Sequence, residues 1–511
     1  MTDWTDGYVA EIGYTFGYYA ELNPLRVRFA LLNAGLALPQ DATACELGFG
    51  QGMSANMHAA ASSTQWYGTD FNPSQAAFAQ ELARVSGSGA RLLDEGFEQF
   101  CARADLPDFD YIGLHGIWSW ISDSNRAVIV DFVRRKLKVG GVLYVSYNTQ
   151  PGWAAMVPLR HLLVHHAQVM GASGSGMVAR VGGALDFAEK LFAVNPAYPR
   201  ANAQVPERLK KLREQNRNYL AHEYFNRDWA PMHFAEMADW LTPAKLSYAI
   251  SAHYPDHIDP INLSAEQQTL LKEIPDAMFR ETVRDFVVNQ QFRRDYWVKG
   301  PRKLAPAQLA AMQRDQRVIL VTPRAAVTLK ISASAGEASL NESIYAPILD
   351  VLADHQPHTM AEIEQAVQGK GVSFAQLREA ITIYIGKGDV CAAQDEAAVQ
   401  KALPQTTRLN RHLMELARTT GDITYLASPL TGGGVMVGRF EQLFLLAQSQ
   451  NRTEPQAWAD FAWQILQAEG QRLVKEGKPL NGPAENLAEL LRQAQEFAAK
   501  RWPILKCLHI A

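Results

Sequence analysis

The sequence predicts an α/β fold built on a largely parallel sheet, and three observations carry that reading. Between residues 43 and 146 short apolar strands alternate with amphipathic helical stretches, the pattern of successive βαβ units. A glycine-rich loop, Gly48-Phe49-Gly50-Gln51-Gly52, follows the first strand directly. Acidic residues then end the second and third strands, at the edge where a parallel sheet opens its binding crevice.

Taken in order, TACELGF, WYGTDF, ARLLDEG, FDYIGLH and VLYVSYN read as strands. SANMHAAAS, PSQAAFAQELARV and SNRAVIVDFVRRKL lie between them. Their apolar residues recur at i, i+3, i+4, so they read as helices. Over residues 151–241 the strand signal disappears, and two Gly/Ser-rich patches, GASGSGM and VGGAL, punctuate helical segments such as ERLKKLREQNRNYLAHEYF. The basic run 208–217 reads as the solvated face of a helix. LSYAISAHY and FRRDYWVKG are two further strands, with helices in LSAEQQTLLKEIPDAMFRETVRDFVVNQ between them.

Residues 1–150 and 242–302 are thus expected to form one sheet domain, with 151–241 as a helical insertion. GPRKLAPAQL reads as a linker to a carboxyl-terminal region, 303–511. There VILVTP and AVTLKI are expected as short strands. Thr359 with Glu362 and Ser373 with Gln376 have capping-box form. With VCAA they suggest a winged-helix-like unit, followed from Arg439 by mainly helical chain.

Composition narrows the function. At roughly 150 residues per domain, 511 residues suggest about three domains. Hydrophobic residues at 47% and charged residues at 20% exclude wholesale disorder. Cys45, Cys101, Cys391 and Cys507 lie far apart, which fits neither a disulfide framework nor a thiolate metal site and points to a reducing compartment. A net charge of −4 argues against a nucleic-acid partner. The start, MTDWTDGYVAEIGY, lacks the basic-then-apolar pattern of a signal peptide. No window approaches the ~18 apolar residues of a membrane span. The expectation is a cytoplasmic enzyme.

The loop excludes two common ligands. A dinucleotide fingerprint needs glycine where Met53 stands, and a P-loop needs a Gly-Lys-Ser/Thr ending. A ligand without pyrophosphate fits better, and Glu46 adds a carboxylate suited to a cationic amino-acid moiety. Asp70 ends the second strand and can accept both hydroxyls of a ribose. In Asp94-Glu95-Gly96-Phe97, either Asp94 or Glu95 can meet an adenine edge.

This series resembles the class I S-adenosylmethionine-dependent methyltransferases over residues 43–150. The resemblance implies a Rossmann-like seven-stranded sheet whose last strand runs antiparallel. It also implies S-adenosylmethionine as cofactor, held by Glu46, Gly48, Gly50, Gly52, Asp70, Asp94 or Glu95, and His115. Further motifs are His115-Gly116-Ile117-Trp118-Ser119-Trp120, then Ser146-Tyr147-Asn148-Thr149-Gln150-Pro151-Gly152-Trp153, AHEYFNRDWAPMHFAEM and NQQFRRDYW. These are similar to bacterial methyltransferases carrying a methyltransferase regulatory domain, here about residues 219–302. The rickettsial protein-lysine methyltransferases, which modify outer-membrane protein lysines, are among them. Phe49 and the stretch GYTFGYYAELNP depart from that pattern.

Methyl transfer to an amine asks chiefly for positioning, water exclusion and an acceptor free of its proton. Aromatic faces suit the cationic groups involved. Trp118 and Tyr147 are therefore expected at the acceptor, with Trp120 and Trp153 as packing residues. Tyr8, Tyr14, Tyr18 and Tyr19 could close as a lid. Asn148 either holds the acceptor or forms a turn; His115 either takes a proton or is satisfied by backbone. His222-Glu223 suggests no metal, because Asn226 replaces the second histidine of HExxH. The expected function is transfer of a methyl group to a protein lysine, and a homodimer is compatible with it. The alternatives are a small-molecule or glycan acceptor, or a scaffold that binds S-adenosylmethionine without turnover.

Overall fold

The computed structural model describes residues 8, 15–40, 42–172 and 174–511. Helix α1 (Pro24–Asn33) follows a 3₁₀ turn at Ala20–Leu22, with Pro24 in its first turn and Asn23 Oδ1 accepting from Leu25 N at 2.9 Å. The alternating segment follows: β1 (Thr43–Leu47), α2 (Met53–Ala61), β2 (Gln65–Asp70), α3 (Pro73–Ser86), β3 (Arg91–Asp94), α4 (Phe97–Ala102), β4 (Phe109–Leu114), α5 (Asp123–Lys136) and β5 (Leu137–Asn148). Strand β5 starts five residues earlier than VLYVSYN, straight from the end of α5. Gly140, at φ +84°, sits where its register against β4 shifts, which accommodates the extra length.

The segment after β5 folds as α6 (Val157–Val169), α7 (Met177–Ala193), α8 (Ala197–Ala201), α9 (Gln204–Glu214), α10 (Arg217–Tyr224) and α11 (Phe234–Leu241). VGGAL lies inside α7 instead of interrupting it. Its apolar neighbours Val181, Ala184 and Leu185 are fully buried, which outweighs the low helix propensity of two glycines. ERLKKLREQNRNYLAHEYF is broken between α9 and α10, where Asn216 caps the new helix. Leu159, Val181, Leu209 and Tyr224 share a separate core, whereas α11 packs Phe234 and Met237 on the sheet.

Strand β6 (Leu246–Ser251) then leads through α12 (Asp259–Asn262), α13 (Ala265–Glu273) and α14 (Ala277–Val288) to β7 (Phe292–Lys299). The seven strands order as β3-β2-β1-β4-β5-β7-β6. Strands β1 to β5 pair in parallel, and β7 runs antiparallel to both β5 and β6. This is the sheet that the class I resemblance implies. Its central strands are buried on both faces, as parallel sheets require.

The expected linker is pinned: Ala37 N donates to Arg302 O at 2.8 Å and Leu304 N to Gly35 O at 3.0 Å. Beyond it, Arg317–Leu320 is flanked by His358–Thr359 and Val390–Ala393 in a three-stranded antiparallel sheet. Helices Glu342–Val351, Met360–Val367 and Phe374–Lys387 accompany it, the latter two opened by the expected capping boxes. VILVTP supplies one of these strands, while AVTLKI contributes only to a separate hairpin, Lys330–Ala333 with Gly336–Ser339. A second hairpin, Tyr425–Ser428 with Gly433–Met436, has no counterpart in the sequence reading. The remaining helices include Arg439–Ser449, Pro455–Ala468 and Gly482–Glu496. Their core also contains Met53 and Met57 of α2, so the carboxyl-terminal region packs directly behind the glycine loop.

Candidate active site

A cavity of about 240 Å³ opens at the carboxyl ends of β1, β2 and β4. Its floor is the glycine loop. Gly48, Gly50 and Gly52 hold φ of +73°, +59° and +68°, a region costly for any residue with a Cβ. Gly48 and Gly50 line the cavity together with Phe49 and Gln51. Phe49 finds room because β2 carries Gly68 beneath it, where an added Cβ would come within 3.0 Å of Phe49 Cδ1.

Gly52 lies outside the lining and serves packing. A Cβ there would approach Ala79 Cβ of α3 to 2.4 Å. Gly52→Val should therefore destabilise the protein by about 1–3 kcal/mol from overpacking alone, with backbone strain added. Urea unfolding of the variant measures it.

Asp70 lines the cavity and is held rigidly. Gly50 N donates to Oδ2 at 2.8 Å and Asn72 N to Oδ1 at 3.0 Å. Burial pushes its carboxyl up to about 6, against the pull of those two N–H donors. Glu46 is buried behind the loop and does not line the cavity. Burial, followed by the nearby Asp70 charge, raises its carboxyl to about 8. It therefore sits behind the loop largely neutral at pH 7.

After β3 the two acids differ in placement. Asp94 is exposed and outside the lining, whereas Glu95, Gly96 and Phe97 line it. Glu95 Oε1 accepts from Arg103 at 2.6 Å, and its buried Oε2 accepts from none of the described residues. Phe71, Phe97, Ile117 and Ile121 give this end flat apolar walls.

His115 also lines the cavity. Its ring stacks on Tyr19 with centroids 3.5 Å apart, and its Nδ1 shares a 2.7 Å hydrogen bond with the Tyr144 hydroxyl, not with backbone. Burial lowers its pKa to about 4, so the ring is neutral at pH 7.

The other expected catalytic residues lie elsewhere. Trp118 is buried in the sheet core with Nε1 on Met232 Sδ at 3.3 Å. Residues 118–120 form one tight 3₁₀ turn, and Trp120 takes the cavity wall that Trp118 was expected to form. Tyr147 is fully buried under α11, its hydroxyl donating to Asp295 Oδ2 at 3.1 Å. Asn148 is buried too; its backbone is held by Ser119 Oγ and Met232 N, and its Nδ2 donates to none of the described residues. None of the three lines the cavity. Trp153 packs against Tyr224 and Trp229 in the insertion core.

The roof comes from the amino terminus. Tyr8, Thr15, Gly17 and Tyr19 line the cavity, while Tyr18 points away and Tyr14 lies outside the described residues. Asp228, from the loop after α10, closes the remaining side. The end of α10 and that loop are fixed to the 3₁₀ turn, with Trp120 Nε1 donating to Glu223 O at 3.2 Å and Ala230 N to Ser119 O at 2.8 Å. Sequence reasoning did not single out Phe71, Gln75, Ile117, Asn125 and Asp228; Ile117 and Asp228 lie inside quoted motifs, but only the fold shows which members of those motifs line the cavity.

Comparison with known proteins agrees with this architecture. The model of a predicted methyltransferase regulatory domain matches residues 216–299. That span contains β6 and β7, so the matched segment completes the sheet itself. The uncharacterized protein sll1526 of Synechocystis is 40% identical over 513 residues, covering 99% of this chain and 100% of that protein. The uncharacterized protein RP789 of Rickettsia prowazekii is 27% identical over 55% of this chain and 51% of its own length. The structure of PKMT2 from Rickettsia typhi in complex with AdoHcy superposes with a TM-score of 0.70 at 16% identity, covering 98% of this chain and 100% of that one. With the class I sheet order, the glycine loop at its switch point and a full-length relative, the chain belongs to the class I S-adenosylmethionine-dependent methyltransferases that carry a methyltransferase regulatory domain.

Proposed function

We propose that the cavity binds S-adenosylmethionine and that the protein transfers its methyl group to an amine, foremost a lysine side chain of a protein substrate. The observation that carries this reading is the charge of the lining. Asp70, Glu95, Glu98 and Asp228 face the cavity, and among the described residues that line it there is no lysine or arginine. Such a site favours a sulfonium and an amine and repels phosphate or carboxylate acceptors.

The residues present fit the cofactor. Asp70 keeps lone pairs free on both oxygens for the ribose hydroxyls, beyond the two N–H donors that fix it. Glu95 Oε2 is an unused acceptor suited to an adenine amino group, with Phe71 and Phe97 as apolar neighbours. S-adenosylmethionine supplies an electrophilic methyl group, which an amine lone pair takes while the C–S bond breaks and its electrons return to sulfur.

The chain's own residues prepare that transfer. Tyr8, Tyr19 and Trp120 surround the acceptor end with aromatic surface and keep water out. A lysine entering there leaves a solution pKa of about 10.4, and desolvation drives off its proton. His115, lowered to about 4, is too weak a base to hold that proton and instead positions Tyr19 by stacking. Asp228 draws the ammonium to the mouth before it is desolvated.

Incubating the purified protein with methyl-labelled S-adenosylmethionine and a cell-envelope extract tests the reading. Label should appear in proteins and, after hydrolysis, in methylated lysine. Label confined to small molecules or glycans would move the acceptor to those classes. Binding without formation of S-adenosylhomocysteine in any pool would leave a scaffold.

A further inference from the structure

The tyrosine roof does not stand by itself. Tyr18, next to the cavity-lining Tyr19, turns outward into a slot made by α2 and the hairpin Tyr425–Ser428/Gly433–Met436. Its ring centroid lies 5.2 Å from His58 and 5.0 Å from Tyr425. The hairpin is tied to the same elements around it. Asn23 Nδ2 donates to Thr431 O at 3.0 Å, and His58 Nδ1 meets Gly432 O at 3.3 Å. The slot has no spare volume. A Cβ on Gly433 would lie 2.3 Å from Tyr18 Oη, 2.8 Å from Asn23 Nδ2 and 3.1 Å from His58 Cε1. One on Gly434 would come within 2.9 Å of the Tyr18 ring. Neither glycine has a left-handed φ, so the constraint is contact with the roof and not backbone conformation.

We propose that Gly433 and Gly434, some 380 residues from the glycine loop in sequence, are positioning residues of the cofactor site. By clamping Tyr18 they hold Tyr19 on His115 and keep the cavity closed. The proposal rests on the reading of that cavity as the S-adenosylmethionine site. Two neighbouring anchors transmit the clamp: Tyr19 N donates to Ser54 Oγ at 2.8 Å, and the Tyr19 ring lies 3.5 Å from His115. Relieving a 2.3 Å approach requires Tyr18 to retreat by about 1 Å to reach ordinary contact distance, and Tyr19 must follow.

Titration calorimetry with S-adenosylhomocysteine on the full chain tests it. Gly433→Ala should weaken binding by on the order of tenfold, the scale of a misplaced binding group. Tyr18→Phe removes the nearest of the three atoms that the new methyl strikes and leaves those of Asn23 and His58, so the double variant should recover part of the affinity lost by Gly433→Ala. A merely structural glycine would show no such rescue. Tyr18→Ala, which empties the slot without adding an atom, should weaken binding comparably and serves if Gly433→Ala does not fold. Wild-type affinity in a folded Gly433→Ala or Tyr18→Ala protein would overturn the clamp. A wild-type protein that ignores S-adenosylhomocysteine would overturn the cofactor reading itself, and the clamp with it.

Discussion

Asp70→Ala should lower affinity for S-adenosylhomocysteine by one to two decades, because charge-assisted hydrogen bonds contribute about 1.5–3 kcal/mol and each decade is about 1.4 kcal/mol. The same carboxylate also fixes Gly50 N at 2.8 Å, so its removal loosens the loop as well as the ribose end. A pH profile separates this residue from general damage. Burial holds the Asp70 carboxyl at about 6, above its ordinary 3.8. Hydroxyl donors bind the ionised form, so affinity should be flat above pH 7 and fall as pH drops through 6. Asp70→Asn should bind weakly with no such slope. Calorimetric titration across that range, with the melting temperature of each variant as a control, checks both. A folded Asp70→Ala protein with wild-type affinity would show that the ribose lies elsewhere.

The second large effect concerns stability. Arg293 of β7 is buried and pairs with three carboxylates: Asp285 at 2.6 Å, Glu281 at 2.9 Å and Asp295 at 2.9 Å. Arg293→Met keeps most of the volume but strands those acids, and breaking a buried pair typically costs about 3–5 kcal/mol. The deficit should depend on pH in a defined direction. Burial already raises Asp285 to about 7 and raises Asp295 as well, and loss of the guanidinium raises both further. The folded variant then binds more protons than the unfolded chain, so its stability rises as pH falls. Urea unfolding at pH 6 and pH 9 should show the smaller deficit at pH 6. Equal deficits would mean that the three acids do not carry the cost.

These two residues also mark how far the sequence could be read. Asp70 and the glycine loop were legible because strand, turn and capped helix are written within thirty residues, and β2 positions Asp70 without outside help. The sheet order followed from the same local alternation and the class I resemblance. Trp118 and Trp120 exchanged roles because a single 3₁₀ turn decides which of two nearby indoles faces inward, and residue type does not encode that rotation. Tyr147 and Asn148 do end β5, as expected. They are covered because α11 and the Met232 strand segment return from the insertion onto them. The hairpin around Gly433 was beyond reach because its partners are hundreds of residues away, and Asp228, although inside AHEYFNRDWAPMHFAEM, is brought to the cavity only by the fold. Glu46, near the end of β1, is buried and lies outside the cavity lining.

The return of the last two strands governs how the molecule can be made. Strand β5 pairs with β7 along seven residues, Val142–Val298 through Asn148–Phe292, so its outer edge waits for a partner about 150 residues further on. During synthesis a nascent chain that has completed β5 presents a bare apolar ribbon, the kind of edge that recruits other strands. Closing so long a loop is slow relative to local helix formation. The insertion helices α6 to α10 have a core of their own and can fold meanwhile. Chains cut between residues 245 and 291 should therefore aggregate, whereas release beyond Lys299 supplies the strand that seals the edge.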